Sequence, residues 1–429
     1  MTRPETSSDV SIAKRLVFVF PGFEPLPPEA QIARFRRAAE RSAAVFEAEV
    51  AFTAGDATAD KNQSLTVGDK AANELNARLT PRDAKESVDT DLIFCTWDDL
   101  IEEYAAIYLP KRVSRGFAAL GAFLINGTFF RYCRTSWRYA LFFLFPILLT
   151  LAILAIGVAL ALTLGSLFDG PTTWLAGILI GTAASAILFY LANRRWFLTT
   201  AFDDWALARE LCEGTNPKLD RRIDEFAKRL KDRAQSGEPD EIIVAAHSLG
   251  ASFAVPALAR AFANGLAPNV PLHILTVGSS LMKTALHPKA EEQREAVRHL
   301  TVDHGIPWTD CQALTDPINF YKSNPAGSLG IAADPMPLVV KLRLRQMVAP
   351  ATYRRIKRDF FRLHRQFVLA VERRSPYSFH MLLLGPASMQ AFREHRTINR
   401  APLAQQREKR LGNTVIAEPE PTLVQETAR

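Results

Sequence analysis

Cysteine is scarce and scattered. The four cysteines in 429 residues are Cys95, Cys133, Cys212 and Cys311, and no two stand at Cys-x-x-Cys or zinc-ligand spacing. That excludes a disulfide framework and fits a reducing compartment. No metal-ligand motif or organic-cofactor fingerprint occurs, so no cofactor is expected. A secretory leader is not expected either. The polar start MTRPETSSDVSIAKR is followed only by LVFVF, too short for a leader's apolar core, and that run ends at Pro21-Gly22. Nucleic-acid motifs are absent as well. The net charge is +7 and the isoelectric point about 9.3, but the basic residues are scattered in helical stretches and near apolar runs. A lipid surface suits that charge better than a nucleic acid does.

Charge is missing altogether from two long stretches. Tyr139 to Leu164 reads YALFFLFPILLTLAILAIGVALALTL, and Trp174 to Leu191 reads WLAGILIGTAASAILFYL. Each is near the ~20 residues a bilayer-spanning helix needs. The mean hydropathy of the whole chain is only −0.01, so the apolar excess is local. The link GSLFDGPTT carries Asp169 and no Lys or Arg. Arg131, Arg134 and Arg138 precede the pair, and Arg194 and Arg195 follow it. By the positive-inside rule both ends face the cytoplasm and the turn faces out. Gly177 and Gly181 stand as G-x-x-x-G, which lets two helices approach closely. The expectation is a two-span membrane hairpin within residues 111–200, in a bacterial inner membrane to judge from the Ala- and Arg-rich composition. Gly116–Phe130 is apolar but too short to span. It reads as a membrane-surface segment, a pocket cover or a core helix.

Outside that insertion, β-type and helical patterns alternate. The expected fold class is α/β: a mostly parallel sheet with helices on both faces. Residues 1–110 and 201–398 supply its two parts, and 399–429 read as a polar tail. Strands are expected at Arg15–Phe20, Glu49–Thr53, Asp91–Thr96, the apolar run from Glu241 into the AHSLG turn, Leu272–Val277 and Trp308–Leu314, and a β-like start at Pro337. Gly55–Ala71 reads as a polar loop. Phe202–Ser236 and the basic stretch ATYRRIKRDFFRLHRQFVLAVERR read as helical.

The most informative segment is EIIVAAHSLG, followed at once by ASFAVPALARAFA. An apolar strand, a small-residue turn and a helix would lift the Ser248 hydroxyl above a sheet edge. The first amides of the helix would point at the same spot. With the AHSLG turn, the early PGF loop and an Asp directly after a later strand, the chain resembles the α/β-hydrolase superfamily of lipase- and esterase-like serine hydrolases. Ala246 takes the first position of the usual G-x-S-x-G turn, where a small residue suffices.

The resemblance implies roles. Ser248 would be the nucleophile, which an adjacent base must activate. The family's chain order is Ser, acid, His. That order sets aside His247, His273, His287, His299 and His304 as the base. Asp316 follows strand WTDCQAL in the segment TDPI and is the expected acid. Asp310 is the alternative acid, and Asp303 a weaker one. For the base, His364 in FFRLHRQFV is expected, His380 is the alternative, and His395 lies near the tail. Phe23 and Leu249 would supply oxyanion-hole amides. The implied activity is cleavage of a lipid or other amphipathic ester held near the bilayer. A hydrolase-like scaffold or binding protein without activity is the competing reading, since fold does not fix function. Transport is not supported, because the two spans carry no charged group that could line a pathway.

Overall fold

The computed structural model describes residues 12–54, 73–82, 87–167 and 170–398. The expected loop 55–71, Asp169 of the turn and the expected tail 399–429 lie outside them. Eight strands form one sheet: β1 (Lys14–Phe20), β2 (Ala48–Ala54), β3 (Glu74–Pro81), β4 (Val88–Phe94), β5 (Glu241–His247), β6 (Leu272–Val277), β7 (Trp308–Ala313) and β8 (Leu338–Leu342). Their order is β2-β3-β4-β1-β5-β6-β7-β8. The run β4-β1-β5-β6-β7-β8 is parallel, and β2 and β3 add an antiparallel edge. Continuous apolar runs such as EIIVAAH belong in the middle of such a sheet, covered on both faces. Every residue of β5 is buried accordingly.

The chain leaves β1 toward β4 and returns to β5 on the other side of β1. The helix after β1, Pro28–Val45, packs into the core on one face through Phe35, Ala39 and Ala43. The helix after β5, Ala251–Ala263, packs on the opposite face through Phe253, Ala257 and Leu258. A strand order that reverses this way leaves a crevice beyond the carboxyl ends of β1 and β5, where open α/β sheets bind ligands. Phe20 stands in register with Ala246, so the PGF loop and the AHSLG turn leave the sheet side by side.

An ion pair inside the core ties the C-terminal segment to this frame. Arg15 is fully buried in β1 and its Nε lies 2.9 Å from Glu241. Three of its remaining four donors go to the carbonyls of Leu383, Gly385 and Ala387. A buried guanidinium is tolerable only when its donors are satisfied in this way.

Between β4 and β5 lies the insertion. Two helices, Trp137–Ser166 and Pro171–Trp196, are long and apolar enough to cross a membrane, with mean hydropathies of 2.8 and 2.0. They pack on each other, with Gly177 and Gly181 buried at the contact. A methyl group on Gly177 would meet the Ala161 carbonyl at 2.7 Å, which is why small residues sit there.

Three of the apolar or helical stretches are broken into shorter helices. The apolar segment near 116–130 is two helices, Leu109–Ile125 and Thr128–Thr135, bent by 72°. The first is a core helix along one face, burying Gly116, Ala119, Leu120 and Phe123, while Ile125 beyond that face is exposed. The charged stretch 202–236 is also split, into Leu198–Glu213 and Pro217–Ser236, because Gly214 takes a left-handed conformation. The basic stretch after Pro350 breaks into Pro350–Ile356, Phe360–Arg365 and a single turn at Gln366–Val368. The β-like start at Pro337 is the strand Leu338–Leu342.

Candidate functional site

Ser248 sits where β5 turns into a short helical turn, Ser248–Gly250, and then into the helix Ala251–Ala263. Its φ is +54°, a left-handed conformation that costs a non-glycine residue about 1–3 kcal/mol unless the surroundings hold it. The surroundings do so. The backbone of Phe20 and Pro21 presses against Gly250, where any β-carbon would lie 2.6 Å from the Phe20 carbonyl oxygen. Gly22 passes as closely on the other side, where a β-carbon would meet Ser248 Cβ at 3.0 Å. The Trp97 indole donates to the Pro21 carbonyl at 3.1 Å and holds that loop down.

Asp316 follows β7 and is fully buried. Its carboxylate accepts hydrogen bonds from the amides of Ile318 at 2.9 Å and Asn319 at 3.2 Å. It is therefore a turn-forming Asp, as its place before Pro317 suggests. It also lies 2.7 Å from Nδ1 of His364. The two uses coexist, because a carboxylate has about four acceptor sites. His364 is buried on the helix Phe360–Arg365, and its Nε2 has no hydrogen-bond partner among the described residues. An imidazole whose Nδ1 faces a carboxylate is held as the tautomer with Nε2 free to accept a proton.

Two supporting residues had no sequence signal. Nε2 of His247 lies 3.3 Å from the His364 carbonyl and donates to it, and the two rings lie 4.8 Å apart. Burial, then the neighbouring His364, holds the His247 imidazole well below its ordinary pKa, so it stays neutral. Ser280, just beyond β6, donates its amide to the Ser248 carbonyl at 3.1 Å. Its hydroxyl is 3.5 Å from that of Ser248. Only the assembled sheet brings β6 beside β5, so proximity of this kind has no local pattern.

The other candidates stand elsewhere. His380 is fully buried against Phe35, with ring centroids 4.9 Å apart, and burial pushes it down to about 3. It packs in the core on the Pro28–Val45 face. His395 ends a surface helix beside Glu394, and Asp303 pairs with Arg298 and His299. Asp310 accepts from Thr276 and Gln312, both at 2.6 Å, inside the sheet.

Burial pushes the Asp310 carboxyl up to about 6. The unfolded chain releases this proton near pH 4. The stability it contributes is therefore full below about pH 4 and lost as the pH rises through about 6. Asp310→Asn is expected to flatten the fall in thermal-unfolding temperature between about pH 4 and 7. An unchanged slope would assign that fall to another group.

Ser248 and His364 line one cavity of about 300 Å³, with Phe23, Leu249 and Ser280 also on its wall. Among the described residues the Phe23 amide has no acceptor. The Lys283 ammonium and Asp204 carboxylate also line it, 2.5 Å apart, so that part of the wall carries no net charge. Comparison with family models, with curated proteins and with solved structures found no match.

Proposed function

We propose that the chain is a membrane-anchored serine hydrolase that cleaves an acyl ester of a lipid or another amphipathic molecule. One observation carries the reading. His364 is bound to the buried Asp316 through Nδ1, its Nε2 has no hydrogen-bond partner among the described residues, and the residue lines the same cavity as Ser248. The strained serine turn between β5 and its helix supports it, as does the likeness to α/β-hydrolases in the order Ser248, Asp316, His364.

Ser248 Oγ attacks the acyl carbon and its proton passes to His364 Nε2. Asp316 holds the ring in one tautomer and stabilises the imidazolium. The amides of Leu249 and Phe23 face the negative charge that develops on the carbonyl oxygen. His364 returns the proton to the leaving alkoxide, and the alcohol departs from an acyl-serine. A water, deprotonated by His364, then releases the acid. Ser248 Oγ makes no hydrogen bond to Nε2 at rest, and such contacts often tighten only when substrate is bound. The arginines that flank the hairpin support a cytoplasmic position for this site.

A membrane-impermeant fluorophosphonate probe tests both statements. It is expected to label the wild-type chain in opened cells, to leave Ser248→Ala unlabelled, and to label nothing in intact cells. Equal labelling of wild type and variant would remove Ser248 from the chemistry. No labelling of either would favour the scaffold reading, and labelling in intact cells would reverse the orientation.

A further inference from the structure

The rim of the Ser248 cavity is amphipathic, and its two halves have different origins. One half is aromatic. Phe142 belongs to the first turns of the helix Trp137–Ser166, and Phe197 directly follows the helix Pro171–Trp196. Phe361 joins them from the helix that carries His364, 5.7 Å from Phe197 and 6.4 Å from Phe142, measured between ring centroids. Phe197 is 46% exposed, so this wall reaches the surface where the membrane-length helices meet the sheet domain. The other half is cationic. Arg34 and Arg365 both line the cavity and share one carboxylate, Glu24, at 2.6 Å and 3.9 Å. Both side chains remain partly exposed, at 26% and 38%. Two cations on one anion leave this rim positive, unlike the balanced Lys283–Asp204 wall.

We propose that the site takes its substrate sideways from the bilayer, as a lipid ester with an anionic head group. The acyl chain passes the aromatic rim formed by Phe142, Phe197 and Phe361, and Arg34 and Arg365 hold the head. This rests on the hydrolase reading above and adds the substrate class to it. The aromatic rim begins at the ends of the two membrane-length helices, at the depth where a lipid's carbonyl region lies. A guanidinium pair with one shared carboxylate has donors left for a phosphate or carboxylate head. The cavity volume is at the low end for a ligand site, which suits one acyl chain better than two.

The experiment uses the full-length protein in lipid nanodiscs and three lauroyl esters: lysophosphatidylglycerol, lysophosphatidylcholine and monolaurin. Release of lauric acid is measured by mass spectrometry, alongside fluorophosphonate labelling of Ser248. The anionic ester is expected to show kcat/KM about tenfold above the other two, mainly through KM. That advantage should shrink in high salt and fall in Arg34→Gln and Arg365→Gln. A butyryl ester of glycerophosphoglycerol in free solution, with the same phosphodiester head and charge but no membrane residence, should be turned over far more slowly. Equal rates for the three lauroyl esters would overturn the proposal, as would a preference that survives both arginine substitutions. Faster turnover of the soluble ester would overturn lateral loading. No release of lauric acid while Ser248 still labels also overturns it. Failure of Ser248 to label would instead sink the underlying hydrolase reading.

Discussion

His364→Gln is expected to lower kcat for ester turnover by about 10⁴-fold or more, and Asp316→Asn by about 10⁴-fold, with the protein still folded. The two losses have different origins. Without the imidazole nothing takes the proton from Ser248. In the proposed mechanism an amide in place of the Asp316 carboxylate keeps one oxygen to accept from the Ile318 amide, but it carries no charge to stabilise an imidazolium 2.7 Å away. His380→Gln and Asp310→Asn are the controls. His380 packs on Phe35 and Asp310 on Thr276 and Gln312, so each is expected to change stability and leave kcat within a few-fold of wild type. Initial rates normalised to the folded fraction decide between these outcomes. A collapse of kcat in His380→Gln with His364→Gln unaffected would overturn the assignment of the base.

The central strands were legible because parallel strands covered on both faces must be continuously apolar, and Val17–Phe20 and Ile242–Ala246 are. The antiparallel strand β3, next to the edge, escaped. Its inward residues, Leu75, Ala77 and Leu79, alternate with Asn76, Arg78 and Thr80, so a period-2 signal was present. It was masked by the polar residues of a half-exposed strand. The hairpin was legible because a charge-free run of that length has few places to go other than a bilayer, and the helices extend it by a few residues at each end. The basic stretch after Pro350 misled because its composition favours helix. Asp359 starts a new helix by capping the amide of Arg362, and that break turns His364 inward to Asp316 instead of outward to water.

At the candidate site, the residues readable from sequence were those attached to a local pattern. Ser248 lies in a strand–turn–helix shape, and Asp316 follows a strand. Choosing His364 over His380 needed the resemblance, because both follow the last candidate strand and no spacing separates them. His247 and Ser280 were out of reach. Each acts on a residue that only the tertiary fold brings close: the carbonyl of His364, 117 positions away, and the hydroxyl of Ser248, 32 positions away.

Adding one methyl group at either of two glycines is expected to separate folding from catalysis. At Gly250 the methyl would collide with the carbonyls of Phe20 and Pro21. Both are backbone atoms of a central strand and its exit loop, and neither can swing away. Gly250→Ala should therefore destabilise the protein by about 1–3 kcal/mol or more, as overpacking of a rigid site does, and lower the unfolding temperature in detergent. At Gly22 the methyl would lie 3.0 Å from Ser248 Cβ and 3.1 Å from His247 Nδ1. His247 Nδ1 can move with its ring, and Ser248 Cβ can give by a few tenths of an ångström with a small shift of its own backbone. The fold should absorb that shift, but a reaction depending on the position of Ser248 should not. Displacements of about 1 Å can cost about 10²-fold in rate, so Gly22→Ala is expected to approach that loss with little change in melting temperature. Thermal unfolding and kcat/KM on the same samples read the two effects apart. Full activity in Gly22→Ala would mean that Gly22 does not set the position of Ser248.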